Sequence, residues 1–164
     1  MKKLIVFLLI VGVLFISSSQ TYEEQSLIST LEKWLPNQPM YFLLEKIEVP
    51  YWGRTISIEE RGYYYFVEFL LRKSAHFLIF GCLAVVIYFL FSNKIRSIYR
   101  FSFSLLLTGV VAALDEYHQS LTGGRTSTIY DIALDISGAF IFLLLVQVTL
   151  LVKTKFSRSK PHRI

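Results

Sequence analysis

The chain has 164 residues, 54% of them hydrophobic, with a mean hydropathy of +0.51 and a formal net charge of +5. Soluble domains run about 45–50% apolar even with glycine counted, and the excess here sits in long runs, so a soluble globular protein is excluded in favour of an integral membrane protein. The lone cysteine, Cys82, excludes an intrachain disulfide.

The first apolar run is LIVFLLIVGVLFI, Leu4 to Ile16, with Lys2 and Lys3 before it and the small residues Ser17 and Ser19 after it. That pattern suits a cleaved signal peptide and equally a retained anchor over about residues 4–19. The next stretch, 20–74, is too long for a simple loop. In SLISTLEKWL, residues Leu27, Ile28, Leu31, Trp34 and Leu35 fall at helical spacing before Pro36, which predicts a short amphipathic helix. PNQP marks a turn, MYFLLEKI reads as a second short interfacial helix, and VPYWGR reads as irregular. Ser57 followed by Glu60 is a capping-box pattern, so a helix starting at Ile58 is expected to run directly into the second span. Tyr63, Tyr64, Tyr65, Phe66 and Phe69 stand where an aromatic belt is expected, with membrane anchoring favoured over ligand stacking.

Three further apolar segments follow, AHFLIFGCLAVVIYFLF, FSFSLLLTGVVAAL and IALDISGAFIFLLLVQVTLLV, giving spans at about 75–91, 99–117 and 132–152. With a cytoplasmic N-terminus, the inner segments hold ten of the 17 basic residues and none of the 12 acids. Positive charge on the cytoplasmic side therefore predicts N-in, C-in, with the basic tail 153–164 on the inner surface. A role for that tail in nucleic-acid binding is not favoured. The expected fold class is all-α: an integral membrane bundle of four transmembrane helices with a short helical extracytoplasmic segment between spans 1 and 2, in one membrane domain covering 1–164.

Counting outward from the inner charges places polar groups at a common depth. Lys94 to His76, Arg100 to His118 and Lys153 to Asp135 are each 18 residues apart. At 1.5 Å per residue that is roughly 27 Å, slightly less than a hydrocarbon thickness of about 30 Å. Asp115 and Glu116 fall a little deeper, and Arg72, Lys73 and Asp131 at the outer interface. Ionisable groups at such depths face the bundle interior and pair with one another, which predicts a polar pocket open to the outside.

Each group also has a plain reading. Thr128 and Asp131 form a capping-box pattern at the start of the fourth span. Asp135 lies a turn further in, where capping does not account for it; pairing with Arg72, Lys73, Arg125 or His76 is the alternative to function. Gly138 allows a neighbouring helix to approach that face. Asp115 and Glu116 oppose the macrodipole at the end of their helix; Asp115 shares a face with Gln119, while Glu116 and His118 point elsewhere. In GGRT, the glycines and Arg125 precede a helix N-terminus, suited either to an anion or to a pair with Asp131. No standard metal motif or nucleophile signature is present, and neither a metal nor another cofactor is expected. Acid–base chemistry by Asp115, Glu116, His76, His118 or Asp135 is chemically open.

Three stretches together resemble the VanZ family of bacterial membrane proteins: FISSSQTYEEQSLIS, RKSAHFLIFGCLA, and the segment carrying DEYHQ, GGRT, Asp131 and Asp135. The resemblance implies a multi-pass plasma-membrane protein that keeps its first helix, from a family linked to glycopeptide resistance, mainly to teicoplanin. Arg72, Lys73, His76, Asp115, Glu116, His118, Gln119, Arg125, Asp131 and Asp135 match its motifs by position, and they are the candidate ligand-binding residues. One departure is Phe80, where the family commonly has tyrosine. The leading expectation is an outward pocket that binds a membrane lipid or a lipid-linked envelope precursor, with Arg72, Lys73 and Arg125 on its anionic groups. The alternatives are an enzyme acting on a lipid head group in the same pocket and a structural salt-bridge network. Nothing in the spacing specifies an oligomeric state.

Overall fold

The computed structural model describes residues 1–51, 53–122 and 128–158, the last three by backbone only. The described residues are mostly helical, 77% helix and 4% strand. Helix α1 (Lys2–Ser18) is followed by three short helices, α2 (Tyr22–Gln25), α3 (Ile28–Trp34) and α4 (Tyr41–Leu44). Strands β1 (Val49–Tyr51) and β2 (Arg54–Ile56) come next, then α5 (Ile58–Arg61) and the long helices α6 (Tyr63–Leu90), α7 (Ser97–Ser120) and α8 (Ile129–Arg158).

Three helices are long and apolar enough to cross a membrane among the described residues: Tyr63–Leu90, Ser97–Ser120 and Ile129–Lys155. Their surfaces agree with that reading, since Leu106, Val110 and Leu114 of α7 and Leu145 and Val148 of α8 are exposed. Apolar surface on that scale needs a non-aqueous neighbour. At 17 residues, α1 reaches about 25 Å, at the short limit for a span.

α6 is the hub. Phe80, Leu83 and Ile87 meet Leu14 of α1 and Ala112 of α7 in one buried cluster. Ala84 and Tyr88, on the adjacent face, meet Ala139 and Leu143 of α8 in another. Gly138 permits close packing there: a Cβ on it would lie 2.3 Å from the Phe77 carbonyl oxygen. The approach expected from Gly138 is thus made against α6.

α1 lies along α6 and α7 from end to end. Lys3 Nζ donates to the Phe89 carbonyl (2.9 Å), near the C-terminus of α6. At its other end Ser18 donates to Asp115 of α7. Arg100, read from the sequence as an interfacial charge, is instead buried. Its guanidinium donates to the Tyr88 carbonyl (3.1 and 3.3 Å) and lies 4.0 Å from the Tyr88 ring. Cations satisfying the last carbonyls of a helix also complement its dipole, which explains why α6 ends here between Lys3 and Arg100.

The 20–74 segment differs from expectation in two places. Where an irregular stretch was expected, β1 and β2 pair antiparallel as a hairpin, with Val49 opposite Ile56 and Tyr51 opposite Arg54, so the all-α expectation is corrected by one small sheet. Ser57 does cap α5 by accepting from the Glu60 amide (3.3 Å), but α5 does not run into the second span. Gly62 breaks the chain at φ +84°, a conformation side chains resist, and α6 starts afresh at Tyr63, 12 residues before the predicted 75. Ile56, Ile58, Tyr63 and Phe66 then form a third buried cluster that fastens the hairpin and α5 to the top of α6.

Candidate functional site

A cavity of about 440 Å³ opens between the hairpin, α2, α5, the N-terminal halves of α6 and α8 and the C-terminal end of α7. One face of α6 supplies the largest share of its wall: Tyr65, Glu68, Phe69, Arg72, Lys73 and His76, which follow the 3.6-residue period of a single helical stripe. Tyr22 of α2, Tyr51 and Arg54 of the hairpin, Arg61 of α5, Gln119 of α7 and Asp131 of α8 close it.

Two ion pairs set its electrostatics. Glu68 is buried and pairs with Arg72 one turn on. Arg72 also donates to the Gln25 side chain (3.4 Å) and lies 4.8 Å from the Tyr22 ring, while Ser26 donates to Glu68 (3.3 Å), so the end of α2 is tied to α6. Lys73 pairs with Asp131 of α8 and donates to the Tyr51 hydroxyl at 2.8 Å. That hydroxyl is also 3.0 Å from Thr128 Oγ1. Burial, and then the bond to Asp131, pushes the Tyr51 phenol well above its ordinary pKa, so it stays protonated. Hairpin, α6 and α8 therefore meet at Lys73.

Below this layer, His76 Nδ1 lies 3.5 Å from Asp135 Oδ1. Asp135 is almost fully buried, and that oxygen has no hydrogen-bond partner among the described residues. His76 is thus the link between the cavity and a buried carboxylate. Phe80 stacks beneath it with ring centres 6.0 Å apart, so that position presents no hydroxyl to the histidine.

The remaining predicted residues divide. Gln119 lines the cavity and donates to Asp115 Oδ2 at 2.7 Å, the shared face expected of that pair. Asp115 itself faces α1 through Ser18. Glu116 is buried and accepts from the Thr128 amide at 2.6 Å. This alters the expected capping box: Thr128 Oγ1 does accept from the Asp131 amide (3.3 Å), but the reciprocal acceptor comes from α7. Asp131 is left to hold Lys73. His118 lies against α1, 3.4 Å from Ser19 Oγ and 4.8 Å from the Phe15 ring centre, away from the cavity lining. Arg125 falls outside the described residues.

Sequence reasoning passed over Glu68, Tyr22, Tyr51, Arg54 and Arg61. Glu68 had a usable signal, an acid one helical turn before Arg72. The aromatic residues assigned to a membrane belt are partly reassigned, since Tyr65 and Phe69 line the cavity while Tyr63 and Phe66 are core. Among the described residues, no group of three His, Cys, Asp or Glu side chains is arranged to hold a metal ion.

Comparison with known proteins found no match among curated proteins and none among solved structures. The family model described as VanZ/LLP1 matches residues 3–151. That match covers both α1, from its second residue, and every residue that lines the cavity. With three helices apolar and long enough to cross a bilayer and a family match over nearly its whole length, the chain belongs to the VanZ/LLP1 family of membrane proteins.

Proposed function

We propose that the cavity binds an anionic, lipid-linked or lipid-embedded ligand of the cell envelope. The observation that carries this is one cavity whose described lining has four cationic side chains, Arg54, Arg61, Arg72 and Lys73, beside four aromatic rings and two acids. A concave site with apolar walls and a few converging charges is the usual form of a small-ligand pocket. In this reading the cavity faces outward, and an amphiphile's head group enters it while the chain stays in the bilayer.

The accompanying topology is a single domain over 1–164 in the bacterial plasma membrane, with four spans, both ends inside and the cavity outside. Support for α1 as a retained first span comes from its two anchors, Lys3 on Phe89 and Ser18 on Asp115, at opposite ends of the bundle. The basic inner segments support the orientation. In this reading, loss of the protein alters susceptibility to glycopeptides by changing access to an envelope component.

Native mass spectrometry of gently solubilised protein tests the binding reading. The expected result is a co-purified anionic lipid that is depleted in Lys73→Gln. A protein that is ligand-free from every membrane extract would sink it.

His76 and Asp135 favour a second reading, an enzyme acting on a lipid head group. A histidine at a cavity wall with a buried carboxylate behind it is arranged as a general base with an orienting partner. Turnover of a radiolabelled envelope lipid by purified protein, lost in His76→Ala and Asp135→Asn, is the expected result. Tight binding with no product in any fraction rules the enzyme out.

A further inference from the structure

The cations of the cavity are not equivalent. Glu68 is bound to Arg72 and Asp131 to Lys73, so the α6 cations are neutralised within the protein. Arg54 and Arg61 have no carboxylate within 4.0 Å among the described residues, and they line the same cavity. With four cations against two acids, the excess over the described lining is two positive charges, both on the hairpin–α5 unit. The backbone under these two arginines is fixed while their ends are not. Ile56 and Ile58 are buried with Phe66, Ser57 caps α5, and Tyr51 is held by Lys73. Both guanidinium side chains are exposed, and that of Arg61 lies 5.4 Å from the Tyr65 ring.

We infer that Arg54 and Arg61 form the anion clamp of the cavity, and that its ligand carries a phosphate monoester or diphosphate dianion. This rests on the cavity being the ligand site, and it moves the anion contact away from Arg72 and Lys73, which become positioning residues. The chemistry follows from the side chains. A guanidinium presents a planar fork that matches two phosphate oxygens, and two such forks offset a double negative charge. Arg72 and Lys73 already spend their charge on buried carboxylates, and drawing either onto a ligand would leave Glu68 or Asp131 unpaired at a cost. A volume of about 440 Å³ leaves space beyond a phosphate for the group that bears it, against Tyr22 and Tyr65.

The test is calorimetric titration of the purified full-length protein in detergent at low ionic strength. One arm uses inorganic pyrophosphate and the other dihexanoyl phosphatidic acid, which separates a free phosphate from a lipid head group. The expected result is that Arg54→Gln/Arg61→Gln binds the preferred probe at least tenfold more weakly with an unchanged Tm. Arg54→Lys/Arg61→Lys should recover part of the loss, and Lys33→Gln, an exposed cation on α3, should bind like wild type. Arg72→Gln should instead lower the Tm of the probe-free protein. Binding within twofold of wild type by the double glutamine variant overturns the clamp while leaving the cavity as the ligand site. An equal loss in Lys33→Gln overturns it as non-specific attraction. If neither probe binds wild type, the phosphate assignment fails, and the co-purified lipid experiment then decides separately whether the cavity holds any ligand.

Discussion

Asp131 and Gly138 show how much one residue on α8 decides. A Cβ at Gly138 would meet backbone, the Phe77 carbonyl, at 2.3 Å, whereas one at Gly81 would meet the Phe142 ring at 2.6 Å. Backbone yields only if the helices part, but a ring can turn. Gly138→Ala is therefore expected to cost about 1–3 kcal/mol, read as a lower Tm in detergent, and Gly81→Ala distinctly less. Equal shifts would show that α6 and α8 are not in close contact at Gly138. At the Lys73–Asp131 pair, Asp131→Asn leaves a part-buried ammonium with a weaker partner. Because both side chains keep some exposure, the expected loss is only about 1–3 kcal/mol. Lys73→Met/Asp131→Leu should be less destabilised than the sum of the single variants, and strict additivity in a double-mutant cycle would show that the pair is uncoupled. The sequence marked both residues as candidates, but it did not assign this partnership, because the two lie 58 positions apart.

Among the elements, the unit formed by the hairpin and α5 is the one that builds the cavity's outer wall. It hangs on two local devices. Ser57→Ala removes the cap of α5, at about 1 kcal/mol, and Gly62→Ala strains a backbone at φ +84° by about 1 kcal/mol or more. Both should raise amide exchange over residues 54–61 while leaving α8 protected; unchanged exchange in both variants would show that neither device holds the unit. A pH effect belongs to α2. The Thr21 amide and hydroxyl hold the exposed Glu24 carboxyl below its ordinary 4.5. A depressed carboxylate stabilises above its unfolded pKa and loses that contribution as pH falls through the folded value. Protection of α2 amides should therefore be constant at neutral pH and decline only below about 4.5. Glu24→Gln should remove the pH dependence. Of these elements, α3 was legible as an apolar stripe and α4 as a short helix within MYFLLEKI. The hairpin was not, since strands of three residues are too short to display a period of two.

For the whole molecule, α1, α6, α7 and α8 make one bundle with polar ties at both ends. If the proposed orientation holds, the two faces differ chemically. In a Cys82→Ala background, a cysteine at Lys33 should react with a membrane-impermeant maleimide in intact cells, and one at Lys155 should react only after lysis. Labelling of both, or the reverse order, would overturn N-in, C-in.

Hydropathy and the clustering of basic residues are properties of neighbouring residues, so the sequence by itself determined a membrane bundle and an expected orientation, and of the α6 wall it marked Arg72, Lys73 and His76. The common depth assigned to His76 and Asp135 is matched by their 3.5 Å approach, because equal rise per residue carries over from helix to helix. Partners across the chain were decided only by tertiary structure. Glu116 caps α8, Asp131 takes Lys73, His118 turns to α1, and Arg54 and Arg61 reach the cavity. Each depends on the azimuth of a helix or the fold of a short hairpin. Those are set by packing at Gly138, Phe80 and Phe66 between segments far apart in sequence, and no local pattern encodes them.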